Sequence, residues 1–139
     1  VADWGYLTQK GKRVYNARSE TLLEKPLFRK DFVQNRCVIP VTGFCEWDGD
    51  GTGWDFLPQE EEMLYLAGVC RKKAEGWEAT VVTEHAAGCV GEIHHRTPLI
   101  LSGENLRQWL YDEAQARQFL EEAKERVLLK RKKMEGETL

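Results

Sequence analysis

The apolar residues change period once along this chain, and that change fixes the class of fold. Between Arg36 and Leu101, apolar and β-branched residues fall in short runs: Arg36–Val41, Gly43–Asp48, Met63–Arg71, Trp77–Thr83 and Pro98–Leu101. Runs of this length and composition read as strands, in which successive side chains take opposite faces. After Ser102 the spacing becomes three and four, first at Leu106, Trp109 and Leu110, then at Phe119, Leu120 and Val127 on a charged background. That spacing lays one apolar face along a helix. Ser102 stands where it can cap the first helix, and Asp112 at or near the start of the second. Strands followed by helices predict an α+β fold with a curved, mostly antiparallel sheet.

Local punctuation refines this reading. Ser19–Lys25 holds helix formers and is broken by Pro26. Pro40 inside a strand implies a sheet edge or a bulge. The run Asp48–Gly53 is a turn by composition. After Lys130 no apolar period remains, and 128–139 are expected to be a frayed tail. A length of 139 residues suits one domain, 1–139.

The net charge of −3 argues against a uniformly basic nucleic-acid surface. Basic residues nonetheless cluster at Lys10, Lys12 and Arg13, at Arg71–Lys73 and at Lys130–Lys133, so a locally basic groove stays open. No apolar run is long enough to span a bilayer, and no membrane partner is expected. The first residue is Val1 and no signal peptide is recognisable, so a fragment or a processed chain is the expectation. The four cysteines, at 37, 45, 70 and 89, form no CxxC pair. All four are read as reduced, the compartment as cytoplasmic, and neither a metal nor a cofactor is expected.

Three segments could carry chemistry. If Asn16–Glu20 begins extended, Asn16, Arg18 and Glu20 share a face and could hold a phosphate or polarise a carbonyl, or simply form a surface ion-pair row. In Gly43–Trp47, alternation separates Phe44 and Glu46 from Cys45 and Trp47. A carboxylate among such bulky neighbours is partly desolvated, which raises its pKa toward general acid–base use; the plainer alternative is a glutamate facing water or an arginine. In Ile93–Pro98, one of two adjacent histidines could shuttle protons while Arg96 binds an anion. A metal site on His85, His94 and Glu92 has no supporting spacing.

Taken in order, Asn-Ala-Arg-Ser-Glu-Thr at 16–21, Arg-Cys-Val-Ile-Pro at 36–40, Gly-Phe-Cys-Glu-Trp at 43–47 and Ile-His-His-Arg-Thr-Pro at 93–98 closely resemble the motifs of the SRAP (SOS response-associated peptidase) family. Trp4-Gly5 and Lys25-Pro26-x-Phe28-Arg29 resemble two further family stretches, so the likeness runs from Trp4 to about Leu110. The resemblance implies a barrel-like curved sheet with flanking helices. It also implies recognition of abasic sites in single-stranded DNA, with a covalent crosslink formed by an N-terminal cysteine exposed when the initiator methionine is removed. On this likeness Asn16, Glu46 and His94 are the expected catalytic residues: Asn16 orients the reactants, Glu46 handles protons in Schiff-base formation, and His94 acts in sugar ring opening and crosslink reversal. Trp4, Arg18, Thr83 and Arg96 are the expected DNA contacts, with Lys10, Lys12 and Arg13 adding charge. Asn16, Glu46 and His94 are expected to converge on one cleft, in a chain expected to be a monomer.

The sequence departs from the pattern in several places. The family's Met-Cys opening is not in this sequence, and no internal cysteine offers an amine and a thiol on adjacent carbons. Residues Leu7–Arg13 supply charge where members carry an aromatic stacking loop, Cys45 stands where an aromatic is usual, and Thr97 where a larger residue is usual. A DNA-binding module without the nucleophile is therefore the alternative function. A cysteine hydrolase using Cys37 or Cys45 with His94 is a third, disfavoured because strand thiols among apolar neighbours lack an activating setting.

Overall fold

Strands precede helices here as the change of period requires. In this computed structural model, which describes residues 2–121 and 128–133, the first third contains β1 (Ala2–Trp4), β2 (Tyr6–Leu7), β3 (Arg13–Val14), β4 (Asn16–Arg18) and α1 (Pro26–Gln34). The middle holds β5 (Arg36–Val41), β6 (Phe44–Trp47), β7 (Gly53–Leu57), β8 (Leu64–Lys73), β9 (Gly76–His85) and the short α2 (Gly88–Gly91). Then come β10 (Arg96–Pro98), β11 (Ile100–Leu101), α3 (Asn105–Tyr111), α4 (Glu113–Glu121) and β12 (Leu129–Lys132).

The hairpin of β8 and β9 is the spine. Gly76 opens β9 at φ +101°, a conformation that favours glycine. The two strands pair from Lys73↔Gly76 to Gly68↔Val81 and then part. The chain from β10 to β11 enters between them: Pro98 pairs with Thr83 on β9, and Ile100 with Leu66 on β8. Leu99 N donates to Val82 O while its own carbonyl accepts from Ala67 N, stitching both sides. β5 lies outside β8, and Pro40 is tolerated there because that edge has no further strand. β1 and β4 run parallel to β9 along its other edge.

Alternation then sorts the core into two layers. Ala67, Val69, Val82 and Leu101 face Phe28 and Phe32 of α1, Trp109 of α3, and Ala116, Phe119 and Leu120 of α4. Leu66, Val81 and Ile100 face the second layer, with Phe56 of the separate sheet β12–β7–β6, Val90 of α2, and Leu128. The sheets do not close into a barrel, so the barrel-like expectation is corrected to an open seven-stranded sheet backed by a three-stranded one.

Other expectations are corrected locally. Pro26 starts a helix rather than breaking one, since the N–H it lacks would be unpaired at a first helical position. The preceding segment supplies only a 3-10 turn at Leu22–Glu24. Ser102 contributes its carbonyl, not its side chain, to the start of α3, whereas Asp112 Oδ1 accepts from Gln115 N at 3.1 Å at the start of α4. The expected frayed tail is a strand over 129–132, because its cations meet carboxylates. Lys130 pairs with Glu92 at 3.0 Å, Arg131 with Asp55 at 2.8 Å, and Lys133 with Asp55 at 3.5 Å. Residues 134–139, and Val127, lie outside the described residues.

At the far end of β9 the fully buried Glu78 collects Arg71 at 2.8 Å, Arg13 at 3.1 Å, Lys73 at 3.6 Å and the Leu7 N–H at 3.1 Å. Burial alone would raise its pKa. The Arg71 and Leu7 hydrogen bonds and the nearby cations outweigh that and hold it below the usual carboxylate range. Removing one partner of such a group costs about 3 kcal/mol or more. Glu78→Gln is expected to lower urea-measured stability at pH 7 by about that amount. Because the folded-state pKa is depressed, the stabilisation is present above the ordinary Glu range and is lost as pH falls through the folded value. The wild-type advantage should therefore vanish in acid.

Candidate functional site

The edge of β9 aligns three of the expected residues. Trp4 registers with Ala79, Asn16 with Val81, and Arg18 with Thr83. Registered neighbours share a face, so the three stand in a row about 7 Å apart on the side where Val81 meets the second core layer. Ala17, between two of them, points to the helical side and is buried. Trp4 is 60% exposed and packs edge-on against exposed Tyr15 at 5.1 Å, with its Nε1 donating to Tyr15 O. The pair forms an exposed aromatic surface; Trp4 was expected as a DNA contact, and the sequence reading missed Tyr15. Nothing in Tyr15's local pattern marks it as Trp4's partner.

The small sheet brings the carboxylate. In β6, Phe44 and Glu46 share the inner face with Phe56 and Trp54 of β7, while Cys45 and Trp47 take the outer one. His94 follows α2, its backbone N–H donating to Val90 O. Glu46 Oε2 lies 3.6 Å from His94 Nδ1, with the two side chains 23% and 32% exposed. Arg96 N–H donates to the same Nδ1 at 3.1 Å. The same Nδ1 lies 3.2 Å from Arg96 O, so it accepts from the Arg96 N–H in one tautomer and donates to that carbonyl in the other. Burial raises the Glu46 pKa, and the adjacent imidazole offsets this only in part. A half-buried carboxyl within reach of an imidazole is an arrangement suited to general acid–base chemistry.

Arg96 and Thr83 were expected as DNA contacts, and they meet each other. Arg96 is 92% buried; its Nη2 donates to Thr83 O and Oγ1, at 2.9 and 3.0 Å, and its Nη1 to Glu20 at 2.9 Å. Only its Nε lacks a partner among the described residues. Glu20 is depressed: burial works against ionisation, but bonds from Arg96, its own backbone N–H and the Ser19 hydroxyl prevail. The sequence placed Glu20 in a row with Asn16 and Arg18. Its role as the clamp on Arg96 was invisible there, because the partners are 76 residues apart.

The remaining expected contacts divide. Lys10 and Lys12 are exposed at the tip of the β2–β3 hairpin, and neither forms an ion pair among the described residues. Arg13 is turned inward to Glu78 and Gly5 O. Arg18 is exposed and, among the described residues, has no acidic partner. Asn16 shares the face that Glu46 looks onto, and its amide is unbonded among the described residues. No cluster of three or more His, Cys, Asp or Glu able to hold a metal occurs among them. No described helix is long and apolar enough to cross a membrane.

The hydrolase reading loses support from the geometry. Cys45 lies on the opposite side of β6 from Glu46, and its thiol donates to the Asp55 carboxylate at 2.6 Å. Burial and that carboxylate push its pKa up to about 11. Such a thiol is a poor nucleophile at neutral pH.

Comparison with known proteins agrees with this geometry. The chain is 33% identical over 119 residues to the abasic site processing protein YoqW of Bacillus subtilis, covering 79% of this chain and 53% of that protein. It is 33% identical over 124 residues to the abasic site processing protein HMCES of Gallus gallus, covering 68% and 37%. The chain thus spans about half or less of these curated relatives. A crystal structure of a Bacteroides thetaiotaomicron protein superposes with TM-score 0.66 at 28% identity, covering 76% of this chain and 52% of that one. A phage-related protein of Bordetella bronchiseptica shares the fold, with TM-score 0.77 at 20% identity, covering 94% and 69%. The family model for SOS response associated peptidases matches residues 1–135, and the chain belongs to the SRAP family.

Proposed function

We propose that this chain recognises abasic sites in single-stranded DNA and provides the proton relay for covalent capture of the open-chain sugar by an N-terminal cysteine. The observation that carries this is the contact between Glu46 and His94 at 3.6 Å, with a raised carboxyl on one side of it. The names of the Bacillus and chicken relatives support the substrate.

An abasic sugar interconverts between a closed hemiacetal and an open aldehyde. Opening takes a proton from the anomeric hydroxyl and gives one to the ring oxygen, which a carboxyl–imidazole pair can do. An amine then adds to the aldehyde, and the resulting hydroxyl takes a proton and leaves as water, giving an imine. A thiol on the adjacent carbon adds to that imine and closes a five-membered ring. Cys37, Cys45, Cys70 and Cys89 are internal and carry no free α-amine. In this reading Asn16 orients the sugar from its place beside Val81, Arg18 takes a phosphate, and Trp4 with Tyr15 stacks a base. Arg96 acts chiefly through structure, holding His94 by its backbone N–H. Removal of an initiator methionine belongs to the same proposal. A DNA-binding module without the covalent step is the second reading, favoured by the free Arg18 and the exposed aromatic pair.

A denaturing gel with uracil-excised single-stranded oligonucleotide separates the two. The chain beginning at Val1 is expected to give no heat-stable band unless borohydride reduces the imine. A version extended upstream to begin Met-Cys is expected to give one without reduction; a stable band from the Val1 chain would make some other residue the nucleophile.

In the extended version, Glu46→Gln is expected to slow crosslinking by ~10²–10⁴-fold. The same change should raise the melting temperature at pH 7. A carboxyl with a raised folded-state pKa favours the fold below the ordinary Glu range and loses that contribution as pH rises through the folded value. Glutamine removes this loss, so the gain should disappear in acid. A lower melting temperature at pH 7 would mark Glu46 as structural instead.

Binding should separate the two arginines. Arg18→Ala is expected to weaken single-stranded DNA binding alike for every sequence and to reduce the log–log salt slope by about 0.7, one phosphate contact. Arg96→Ala should lower the melting temperature as well, since it leaves Glu20 and Thr83 without their partner. Equal melting temperatures for wild type and Arg96→Ala would return Arg96 to the DNA contacts.

A further inference from the structure

We propose that Cys37 and Cys70 are a redox modification site, a dithiol on the large sheet that closes to a reversible cross-strand disulfide when oxidised by a peroxide. This inference does not rest on the DNA reading above. Cys37 on β5 registers with Gly68 on β8, and Cys70 lies two residues farther along β8, where its N–H donates to Asn35 O at 3.0 Å. Alternation puts Cys37, Gly68 and Cys70 on one face. The residue between the sulfurs has no side chain. A Cβ on Gly68 would stand 3.0 Å from Cys37 Sγ and 2.9 Å from both Ile39 Cδ1 and Thr80 O. The slot over Gly68 therefore leaves the Cys37 thiol room to reach diagonally toward Cys70. Cys70 Sγ also lies 3.4 Å from Asn35 O. Both thiols are free and only partly buried.

Diagonal strand neighbours stand about 7–8 Å apart at Cα, and disulfides span up to about 6.8 Å. Closing the bridge thus asks β5 to slip by about an ångström. β5 is hydrogen-bonded on one side only, so the slip does not have to move a second strand. The roles of the sulfurs differ. Interaction with Cys37 lowers the Cys70 thiol, whereas interaction with Cys70 and burial push Cys37 up. Cys37 Sγ lies over Gly68 in the slot it shares with Ile39, and we take Cys70 as the attacking thiolate and Cys37 as the resolving thiol.

In the first step the Cys70 sulfur bonds to one peroxide oxygen, the O–O bond breaks, and the departing hydroxide takes a proton to leave as water. In the second step the Cys37 sulfur loses its proton and attacks the Cys70 sulfenic acid. The S–S bond forms as the S–O bond breaks, and the hydroxide leaves with that proton as a second water. Two thiols and one hydrogen peroxide give one disulfide and two waters. Cys70 registers with Ala79, and Ala79 with Trp4, so the bridge would form on the face that carries Trp4 and Asn16.

The test uses the full chain with Cys45→Ser, treated with hydrogen peroxide and analysed by mass spectrometry. No Lys or Arg lies between Arg36 and Arg71, so trypsin releases both cysteines in one peptide. A second cut at Glu46 and at Glu60–Glu62 separates them unless they are bridged. The expected result is an intact mass lower by two hydrogens, with fragments 37–46 and 63–71 joined until dithiothreitol parts them. Brief iodoacetamide labelling before oxidation should modify Cys70 ahead of Cys37. The joined fragments are read without altering either cysteine, so misfolding of a Cys37→Ser or Cys70→Ser variant cannot mask the outcome. Fragments that stay separate, a bridge to Cys89 instead, or Cys70 sulfinic acid without a bridge would overturn the proposal.

Discussion

The parting of β8 and β9 beyond Gly68↔Val81 is the constraint on which the candidate site depends. Were the hairpin to stay zipped, the chain from Arg96 to Leu101 would have no place in the sheet. Because it opens, β10 takes the hydrogen bonds of Glu84 and its neighbours that β8 has given up, and β11 takes those of Tyr65 and Leu66. Backbone donors and acceptors inside a core must find such partners. The insertion sets Arg96 against Thr83 and fixes the short link back to α2. That link holds His94 over Glu46, a residue from a different sheet. The contact between Glu46 and His94 is thus a consequence of strand topology and not of any local turn.

The sequence was legible wherever a residue's neighbours in space are also its neighbours along the chain. The runs 36–41 and 44–47 are short and rich in β-branched or aromatic residues, and their strands follow. Glu46 could be placed on the Phe44 face from spacing alone. β1 and β4 have three residues each and no pattern of their own; they are strands because β9 offers an open edge. The basic run after Leu128 reads as a tail until Asp55 and Glu92 are seen across from it. Arg13 and Arg96 show the same limit for charges. Each was read as reaching for phosphate, and each is bound to a carboxylate 65 or 76 residues away.

That redistribution also resolves a tension between a net charge of −3 and a proposed anionic partner. Of the three basic clusters, β12 spends much of its charge on Asp55 and Glu92, and Arg13, Arg71 and Lys73 converge on Glu78. Exposed pairs such as Lys130–Glu92 contribute at most about 1 kcal/mol. Those around the buried Asp55 and Glu78 carry more, because losing a partner strands a buried charge. The cations left over include Arg18 beside Asn16, and Lys10 and Lys12 at a hairpin tip. A few free cations suffice for a phosphate backbone whose affinity scales with contacts made, not with the net charge of the chain.

Three glutamates, Glu78, Glu20 and Glu46, show how the partner a carboxyl meets decides which way its pKa moves. Burial raises the pKa of each. Glu78 answers with guanidinium and backbone partners, and Glu20 with Arg96, its own N–H and Ser19, and both stay depressed. Glu46 has only His94, which offsets its burial in part and leaves the carboxyl raised. A guanidinium cannot surrender its charge near neutral pH, so it fixes a carboxylate as an anion. An imidazole can lose or gain a proton, and so leaves its carboxyl partner free to do the same. The sequence put Glu20 in a polar row with Asn16 and Arg18, and Glu46 on the Phe44 face. The identity of the partner, arginine in one case and histidine in the other, goes with a depressed carboxyl in the first and a raised one in the second.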